Sequence, residues 1–179
     1  MKRLAPAFYL LAALLMITVG GYALHLYLKG QTSTPQWTGN GAASLPAFKL
    51  PDIDGNLRDS DEWNGKVLIV NFWATWCPPC RKEMPLFIEM QEKYGHRGIQ
   101  FVAIAIDDPD MVRDFHDVYG INFPTLIGGA EAIQLANRLG NRFDSLPFTA
   151  IFDRGGKTRY IQAGEMQQAV LEQQILPLL

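Results

Sequence analysis

Cysteine is scarce in this sequence, since its 179 residues include only two, Cys77 and Cys80. Two cysteines cannot form the disulfide framework of a small cysteine-rich domain. A purely stabilising cross-link is also a poor explanation, because closing so short a loop contributes about 2 kcal/mol, against about 4.7 kcal/mol for a loop of about 100 residues. A zinc site needs a second ligand pair, and the histidines His25, His96 and His116 are scattered singly. The pattern therefore predicts redox chemistry at Cys77 and Cys80.

An excess of charge of one sign is also missing. The formal net charge is −2 and no basic stripe is present, which argues against nucleic acid as a partner. Residues 6–28 contain no Asp, Glu, Lys or Arg. As a helix this segment would be about 35 Å long, enough to cross a hydrocarbon layer of about 30 Å. Because Lys2 and Arg3 precede it, we predict a membrane anchor at 1–29 and the rest of the chain outside the cytoplasm.

A cleaved signal peptide is the alternative for residues 1–29. Gly21 and Ala23 are small residues at the two positions that a signal peptidase inspects. The apolar run continues to Leu28, which is long for a signal peptide and favours a retained anchor. Both interpretations predict an exported protein.

The anchor is followed by a polar segment and then by a folded domain. Residues 30–44, GQTSTPQWTGNGAAS, have the composition of a flexible linker. In the domain at 45–179 the hydrophobic pattern alternates between strands and helices, which predicts an α/β sandwich with a mixed sheet. We predict an opening β-hairpin at 47–59, strands at 66–73, 99–106, 123–127, 148–152 and 158–163, and helices from 77 or 78 to 94 and at 109–119, 131–139 and 165–178. In the first of these helices Leu86, Met90 and Tyr94 are expected to face the sheet.

The cysteine pair has the spacing that thiol-disulfide exchange requires. A thiolate attacks the target disulfide, and a second thiol then resolves the mixed disulfide. At a helix start, backbone N–H groups and the positive end of the helix dipole lower the pKa of the first thiol, so we predict Cys77 as nucleophile and Cys80 as resolving thiol. Glu83, on the same helical face as Cys80, is the candidate base, although a solvated surface glutamate is the alternative. Pro147 precedes a strand and is a candidate for a cis peptide bond, with an ordinary loop proline as the alternative.

Four segments resemble one known family. They are VNFWATWCPPCRKEMP at 70–85, LPDIDG at 50–55, YGINFP at 119–124 and LPFTAIFD at 146–153. Together they are similar to the TlpA/ResA/CcmG family, membrane-anchored thioredoxin-like proteins of the bacterial cell envelope. The resemblance implies a thioredoxin fold with an N-terminal β-hairpin and a central strand-helix insertion at 98–127, preceded by one transmembrane helix.

The resemblance also implies roles for individual residues. Cys77 and Cys80 would form the redox disulfide, Glu83 would tune it, and Pro147 would be the cis-proline whose loop pairs with the backbone of the target. The residues expected to contact the target are Trp76, Pro78, Pro79, Leu146 and Pro147.

This chain departs from the family pattern at two positions. Thioredoxins carry a buried aspartate where this chain has Asn71, so Glu83 becomes the expected proton acceptor. Phe148 follows the expected cis-proline where the family often has a small residue, which predicts a differently shaped target groove.

The predicted function is a reductase of envelope protein disulfides, with cytochrome c maturation, and hence apocytochrome c as target, as a narrower alternative. We expect a single-pass protein of the bacterial inner membrane with its domain on the periplasmic or extracytoplasmic side, recharged by a membrane dithiol carrier. No cofactor besides the Cys77–Cys80 disulfide and no metal is expected. A copper-handling module would need a third soft ligand near the cysteines. A thiol peroxidase would need Thr or Ser where Ala74 stands.

Overall fold

The computed structural model describes residues 41–179 and, before them, only residues 16, 18 and 20–22. The chain divides into two compact units, Met1–Gln36 and Trp37–Leu179. The described residues of the first unit are helical. Among all described residues, no helix has both the length and the apolar character that a membrane span requires. The predicted anchor at 1–29, apart from those few positions, lies outside the described residues, as does the linker up to residue 40.

Strands and helices alternate along residues 41–179, as predicted. The strands are β1 (Lys49–Pro51), β2 (Leu57–Asp59), β3 (Val67–Trp73), β4 (Ile99–Ala105), β5 (Thr125–Ile127), β6 (Phe148–Phe152) and β7 (Thr158–Ala163). The α-helices are α1 (Pro78–Tyr94), α2 (Pro109–Tyr119), α3 (Ala130–Leu139) and α4 (Gln168–Ile175). Short 3-10 helices lie at Ser60–Trp63, Gly95–Arg97 and Leu176–Leu178.

Five of the strands form one sheet in the order β5-β4-β3-β6-β7. β3, β4 and β5 are parallel, whereas β6 and β7 run antiparallel to their neighbours, which confirms the predicted mixed sheet. β1 and β2 pair as the predicted antiparallel hairpin. Every residue of the central strand β3 is buried, as expected for a strand that is covered on both faces.

The two faces of β3 contribute to two separate hydrophobic clusters, because successive strand residues point to opposite sides. Ile69 and Trp73 belong to the cluster that contains the buried residues of α1, α2 and α4. Val70 and Phe72 belong to the cluster that contains those of α3 and β1. Helices therefore cover the sheet on both sides, and the predicted sandwich is confirmed.

Helix α1 begins where its sequence predicts. Cys77 is its N-cap residue, and Pro78 and Pro79 occupy the first helical positions, where the missing proline N–H breaks no hydrogen bond of the helix. Of the three residues that were predicted to face the sheet, Met90 and Tyr94 are buried, and Leu86 is half-buried and packs against the same hydrophobic cluster. The buried residues are Cys80, Glu83, Met84, Phe87, Met90 and Tyr94.

The last helix is shorter than predicted. α4 begins at Gln168 rather than at residue 165, and a 3-10 turn at Leu176–Leu178 follows it. Gly164 has a φ of 90°, a conformation that favours glycine, and the chain turns there into a loop. In this loop the Met166 N–H donates to a carboxylate oxygen of Glu83 at 2.7 Å. The side chain of Glu83, on α1, thus contributes a hydrogen bond to this loop.

The segment that precedes β3 reaches both outer strands of the sheet. The Ala43 carbonyl accepts a hydrogen bond from the N–H of Thr158 in β7 at 2.9 Å, and Ser44 pairs with Lys157 in an isolated bridge. At the other side the Ile53 N–H donates to the carbonyl of Thr125 in β5 at 3.2 Å. Residues 43 and 44, the end of the predicted linker, are therefore bonded to the domain.

Candidate active site

Both cysteines lie at the junction between the end of β3 and the start of α1. Their sulfurs are joined in a disulfide, and the Cys80 N–H donates to Cys77 Sγ at 3.4 Å. Pro78 and Pro79 have no N–H to offer, so the Cys80 N–H is the first backbone donor of the helix. Cys77 is 3% exposed and Cys80 0%. The geometry thus makes Cys77 the cysteine that retains some contact with solvent and receives the helix N-terminal donor.

Asp107 holds the loop that leads into the cysteine pair. The N–H and the hydroxyl of Thr75 both donate to Asp107 Oδ2, at 2.8 Å and 2.5 Å. The Asp108 N–H donates to Asp107 Oδ1 at 2.8 Å. We did not identify Thr75 or Asp107 as site residues from the sequence. The sequence did contain one signal for this contact. Asp107 follows β4, the parallel neighbour of β3, and the carboxyl ends of parallel strands lie at the same edge of a sheet.

Glu83 is buried on the second turn of α1, three residues after Cys80. It is 2% exposed, which excludes the solvated surface glutamate considered as an alternative. Asn71 Nδ2 donates to Glu83 Oε1 at 2.8 Å, and the Met166 N–H donates to Oε2 at 2.7 Å. Burial raises the pKa of Glu83 to about 7, although the two donors work against this increase. The carboxyl group therefore changes its protonation state near neutral pH.

Asn71 connects Glu83 to the strand that follows the proline loop. Its Nδ2 also donates to the hydroxyl of Thr149 at 3.0 Å, and the two residues face each other across β3 and β6. Asn71 is 2% exposed and Thr149 is fully buried. Among the charged side chains that the structure describes, Glu83 alone is buried. Of the hydrogen-bonded pair Asn71 and Glu83, only Glu83 can therefore gain or lose a proton.

The loop before β6 contains the predicted proline. The Leu146–Pro147 peptide bond is cis, which confirms that prediction. The Pro147 carbonyl accepts a hydrogen bond from the Gly164 N–H at 2.8 Å. Trp76 is 66% exposed, and Trp76 and Leu146 line one cavity. The structure therefore brings these two of the predicted target-contacting residues together. Pro78 is exposed, Pro79 is half-buried and Pro147 is buried.

The part of the chain that the structure describes contains no cluster of metal-binding side chains. There, no group of three His, Cys, Asp or Glu side chains is placed to hold a metal ion. The chemical groups of this site are a dithiol that can form a disulfide, a buried carboxyl group and helix N-terminal donors. Such a set can carry out thiol-disulfide exchange with proton transfer.

Comparison with known proteins identifies the family. The family model described as Redoxin matches residues 40–175. The chain belongs to the Redoxin family. This Redoxin-family chain is a thiol-disulfide oxidoreductase of thioredoxin type. It is 31% identical over 134 residues to thiol-disulfide oxidoreductase ResA of Geobacillus thermodenitrificans, a match that covers 74% of this chain and 75% of the relative. It is 34% identical over 128 residues to ResA of Bacillus thuringiensis strain Al Hakam, covering 71% and 72% of the two chains.

Solved structures place the Redoxin-family chain in the same group. It is similar to a putative thiol:disulfide interchange protein DsbE from Chlorobium tepidum, with a TM-score of 0.69, 29% identity, and coverage of 78% of this chain and 97% of the other. A thioredoxin-family thiol:disulfide interchange protein from Chlorobium tepidum TLS gives a TM-score of 0.70 at 27% identity, with coverage of 79% and 99%. The thioredoxin-like α/β fold and the family that the motifs predicted are therefore confirmed.

Proposed function

We propose that this chain is an exported reductase of protein disulfides. The observation that carries the proposal is the placement of a buried carboxyl group, with a pKa of about 7, on the helix that begins with the cysteine pair. A general base is most effective when its pKa lies near the working pH. Because Glu83 alone among the described charged side chains is buried, it is the candidate to receive the proton of Cys80.

The proposed reaction begins from the reduced dithiol. The Cys77 thiolate attacks one sulfur of the target disulfide, so that a mixed disulfide forms and the other target sulfur leaves as a thiolate. Cys80 transfers its proton to the Glu83 carboxylate and attacks Cys77 Sγ. This step breaks the mixed disulfide, releases the second target thiolate and forms the Cys77–Cys80 disulfide. Two electrons have then passed to the target, and a dithiol donor must reduce the disulfide again.

The two prolines between the cysteines support the proposal that this protein reduces its targets and does not oxidise them. A strong oxidant stabilises its reduced form by stabilising the thiolate. Pro78 and Pro79 remove two backbone donors from the helix start, and the Cys80 N–H alone is left to donate to Cys77 Sγ, at 3.4 Å. Fewer donors to the thiolate favour a lower reduction potential.

The proposed location is the outer side of a bacterial inner membrane. The uncharged segment 6–28 and the preceding Lys2 and Arg3 support a single-pass anchor. A membrane dithiol carrier is the proposed electron donor, and envelope protein disulfides are the proposed targets. Apocytochrome c is the narrower proposal for the target. Loss of c-type cytochromes on deletion of the gene, with rescue by an added dithiol, is the result expected if it is the main target.

Measurement of the reduction potential of the Cys77–Cys80 pair tests the direction of the reaction. A value near thioredoxin's potential of about −270 mV supports a reductase, and one near about −120 mV, as in the oxidant DsbA, overturns it. Cys80→Ser tests the two cysteine roles, because it blocks resolution and should accumulate mixed disulfides with target proteins through Cys77. The matched control is Cys77→Ser, which should capture none. Capture by the control instead would reverse the assignment.

A further inference from the structure

The backbone of Pro147 is bonded to the residue that follows β7. Phe148 of β6 pairs with Ala163 of β7, and the Gly164 N–H donates to the Pro147 carbonyl at 2.8 Å, which extends this pairing by one residue. Gly164 has a φ of 90°, and the chain turns there into residues 164–167, the β7–α4 loop. One end of this loop therefore fixes the backbone of Pro147.

The other end of the β7–α4 loop is bonded to Glu83. The Met166 N–H donates to Glu83 Oε2 at 2.7 Å. Met166 is 2% exposed and belongs to the hydrophobic cluster that includes both cysteines. Between the two ends, the Glu165 carbonyl accepts a hydrogen bond from Gln162 Nε2 at 2.6 Å. The bond to Glu83 thus lies only two positions along the chain from the bond to Pro147.

We propose that Glu83 is also a positioning residue, which holds the β7–α4 loop through the Met166 N–H and thereby holds the Pro147 backbone where it meets a target. The proposal rests on the proposed function, in which the Pro147 loop pairs with the target backbone. Consecutive Cα atoms are fixed about 3.8 Å apart, so a displacement of Met166 displaces Gly164 as well. A carboxyl group keeps an oxygen that can accept whether or not it carries a proton, so Glu83 can hold the loop before and after it receives the proton of Cys80.

The test separates this positioning from the role of Glu83 as base. Every full-length chain carries Cys80→Ser, so that no proton has to leave Cys80 and the reaction stops at the mixed disulfide. A fluorescent thiol is joined by a disulfide either to a short peptide, one cysteine flanked by alanines, or to cysteamine, which has no peptide backbone. The Cys77 thiolate attacks the cysteine or cysteamine sulfur, the S–S bond breaks and the fluorescent thiolate leaves. The ratio of the peptide to the cysteamine rate constant measures what the target backbone contributes, because a change in the Cys77 thiolate alters both rates alike.

Substitutions of Glu83 test the bond to Met166. Glu83→Met removes both acceptor oxygens and should lower the ratio by about threefold to tenfold, the factor that loss of one hydrogen bond corresponds to. Glu83→Gln keeps one oxygen, and its NH2 group can face Asn71, whose Oδ1 has no hydrogen-bond partner among the described residues. It should therefore retain most of the ratio. Glu89→Gln is the matched control, since Glu89 lies exposed on the same helix, and should leave the ratio unchanged.

A second pair of variants loosens the loop without touching Glu83. A Cβ at Gly164 would have no neighbouring heavy atom within 4 Å, so Gly164→Ala introduces only the strain of a side chain at positive φ. It should also lower the ratio. Gly156 has a φ of 73° and equally open surroundings, but it lies in the turn at the other end of β7, so Gly156→Ala should keep the ratio. Gly164→Ala combined with Glu83→Met should give less than the product of the two effects, because both act through one loop.

The possible outcomes separate this proposal from the proposed function. Unchanged ratios in Glu83→Met and Gly164→Ala overturn the positioning role but keep the reductase. Equal rates with the two probes in the Cys80→Ser chain also overturn it, since no backbone pairing then exists to be positioned. A full product of the two effects in the double variant, or an equal fall in Gly156→Ala, would show that Glu83 does not act through this loop. If neither disulfide is cleaved, the proposed function itself fails.

Discussion

Replacement of Glu83 by Gln should change how the stability of the oxidised chain depends on pH. In the wild-type chain, burial raises the pKa of Glu83 from an ordinary value of 4.5 to about 7. The folded state therefore holds this proton more tightly than the unfolded state. Between about pH 4.5 and about pH 7 the unfolded chain loses the proton first, so the free energy of unfolding falls as the pH rises and levels off above that window. A pKa difference of this size corresponds to about 3 kcal/mol.

The Gln side chain has no proton to lose, so the variant lacks this decrease. It also loses a hydrogen bond, because Asn71 Nδ2 and the Met166 N–H donate to different oxygens of Glu83 and Gln replaces one of those oxygens by an NH2 group that cannot accept. The informative quantity is therefore how the difference in the free energy of unfolding between the wild-type chain and Glu83→Gln changes with pH. Its value at a single pH is less informative. Relative to Glu83→Gln, the wild-type chain should lose about 3 kcal/mol between about pH 4 and about pH 9.

Guanidinium denaturation of the full-length chain with the disulfide intact measures this difference at a series of pH values. Keeping the disulfide oxidised removes thiol titration from the comparison. Glu89→Gln is the matched control, since Glu89 lies exposed on the same helix, and it should follow the wild-type curve. Parallel curves for the wild-type chain and Glu83→Gln would show that Glu83 ionises as an ordinary glutamate. The proposed role of Glu83 as the base would then be refuted.

Three further substitutions test the surroundings of the site. Asn71→Leu removes a donor to the Glu83 carboxylate and should extend the upper end of the same pH window above about pH 7 in the denaturation series; an unchanged upper end would mean that the amide does not stabilise the anion. Phe87→Ala deletes a fully buried ring and should lower the free energy of unfolding by about 3 to 5 kcal/mol, whereas a loss below about 1 kcal/mol would mean that neighbouring side chains refill the space. Asp107→Asn weakens the two bonds that Thr75 donates and should speed exchange of the Thr75 amide hydrogen by about tenfold. Unchanged exchange by NMR would show that Asp107 does not hold the loop.

Local sequence patterns were enough to predict most of the fold. The helix Pro109–Tyr119 and the strands Phe148–Phe152 and Thr158–Ala163 match the predicted bounds at both ends. Helix α2 has a capping aspartate before its first proline and a left-handed glycine after its last residue, and such end signals are encoded within a few residues. Hydrophobic periodicity marks the strands in the same local way.

The prediction of the site was less complete, because its contacts connect distant parts of the chain. The cysteine pair and the cis-proline were recognised from their motifs, but the surroundings of Glu83 were not. Met166 lies 83 positions after Glu83, and the local sequence predicts a helix over Met166 where the structure has a loop. Thr75 and Asp107 are 32 positions apart. Whether Glu83 faces solvent or the interior depends on which segments pack over it, and a single sequence without its fold does not contain that information in any local pattern.

The hydrogen bonds of Ala43 with β7 and of Ile53 with β5 affect how easily the outer strands of the sheet can pair with another chain. An uncovered edge strand pairs readily with other extended chains and is a starting point for aggregation. Here the segment before β3 occupies part of the outer side of both β7 and β5. The occupied part of each outer strand is thus closed to pairing with another extended chain. A chain that began after residue 45 would lose the bond between Ala43 and Thr158, and the outer side of β7 would be open to pairing.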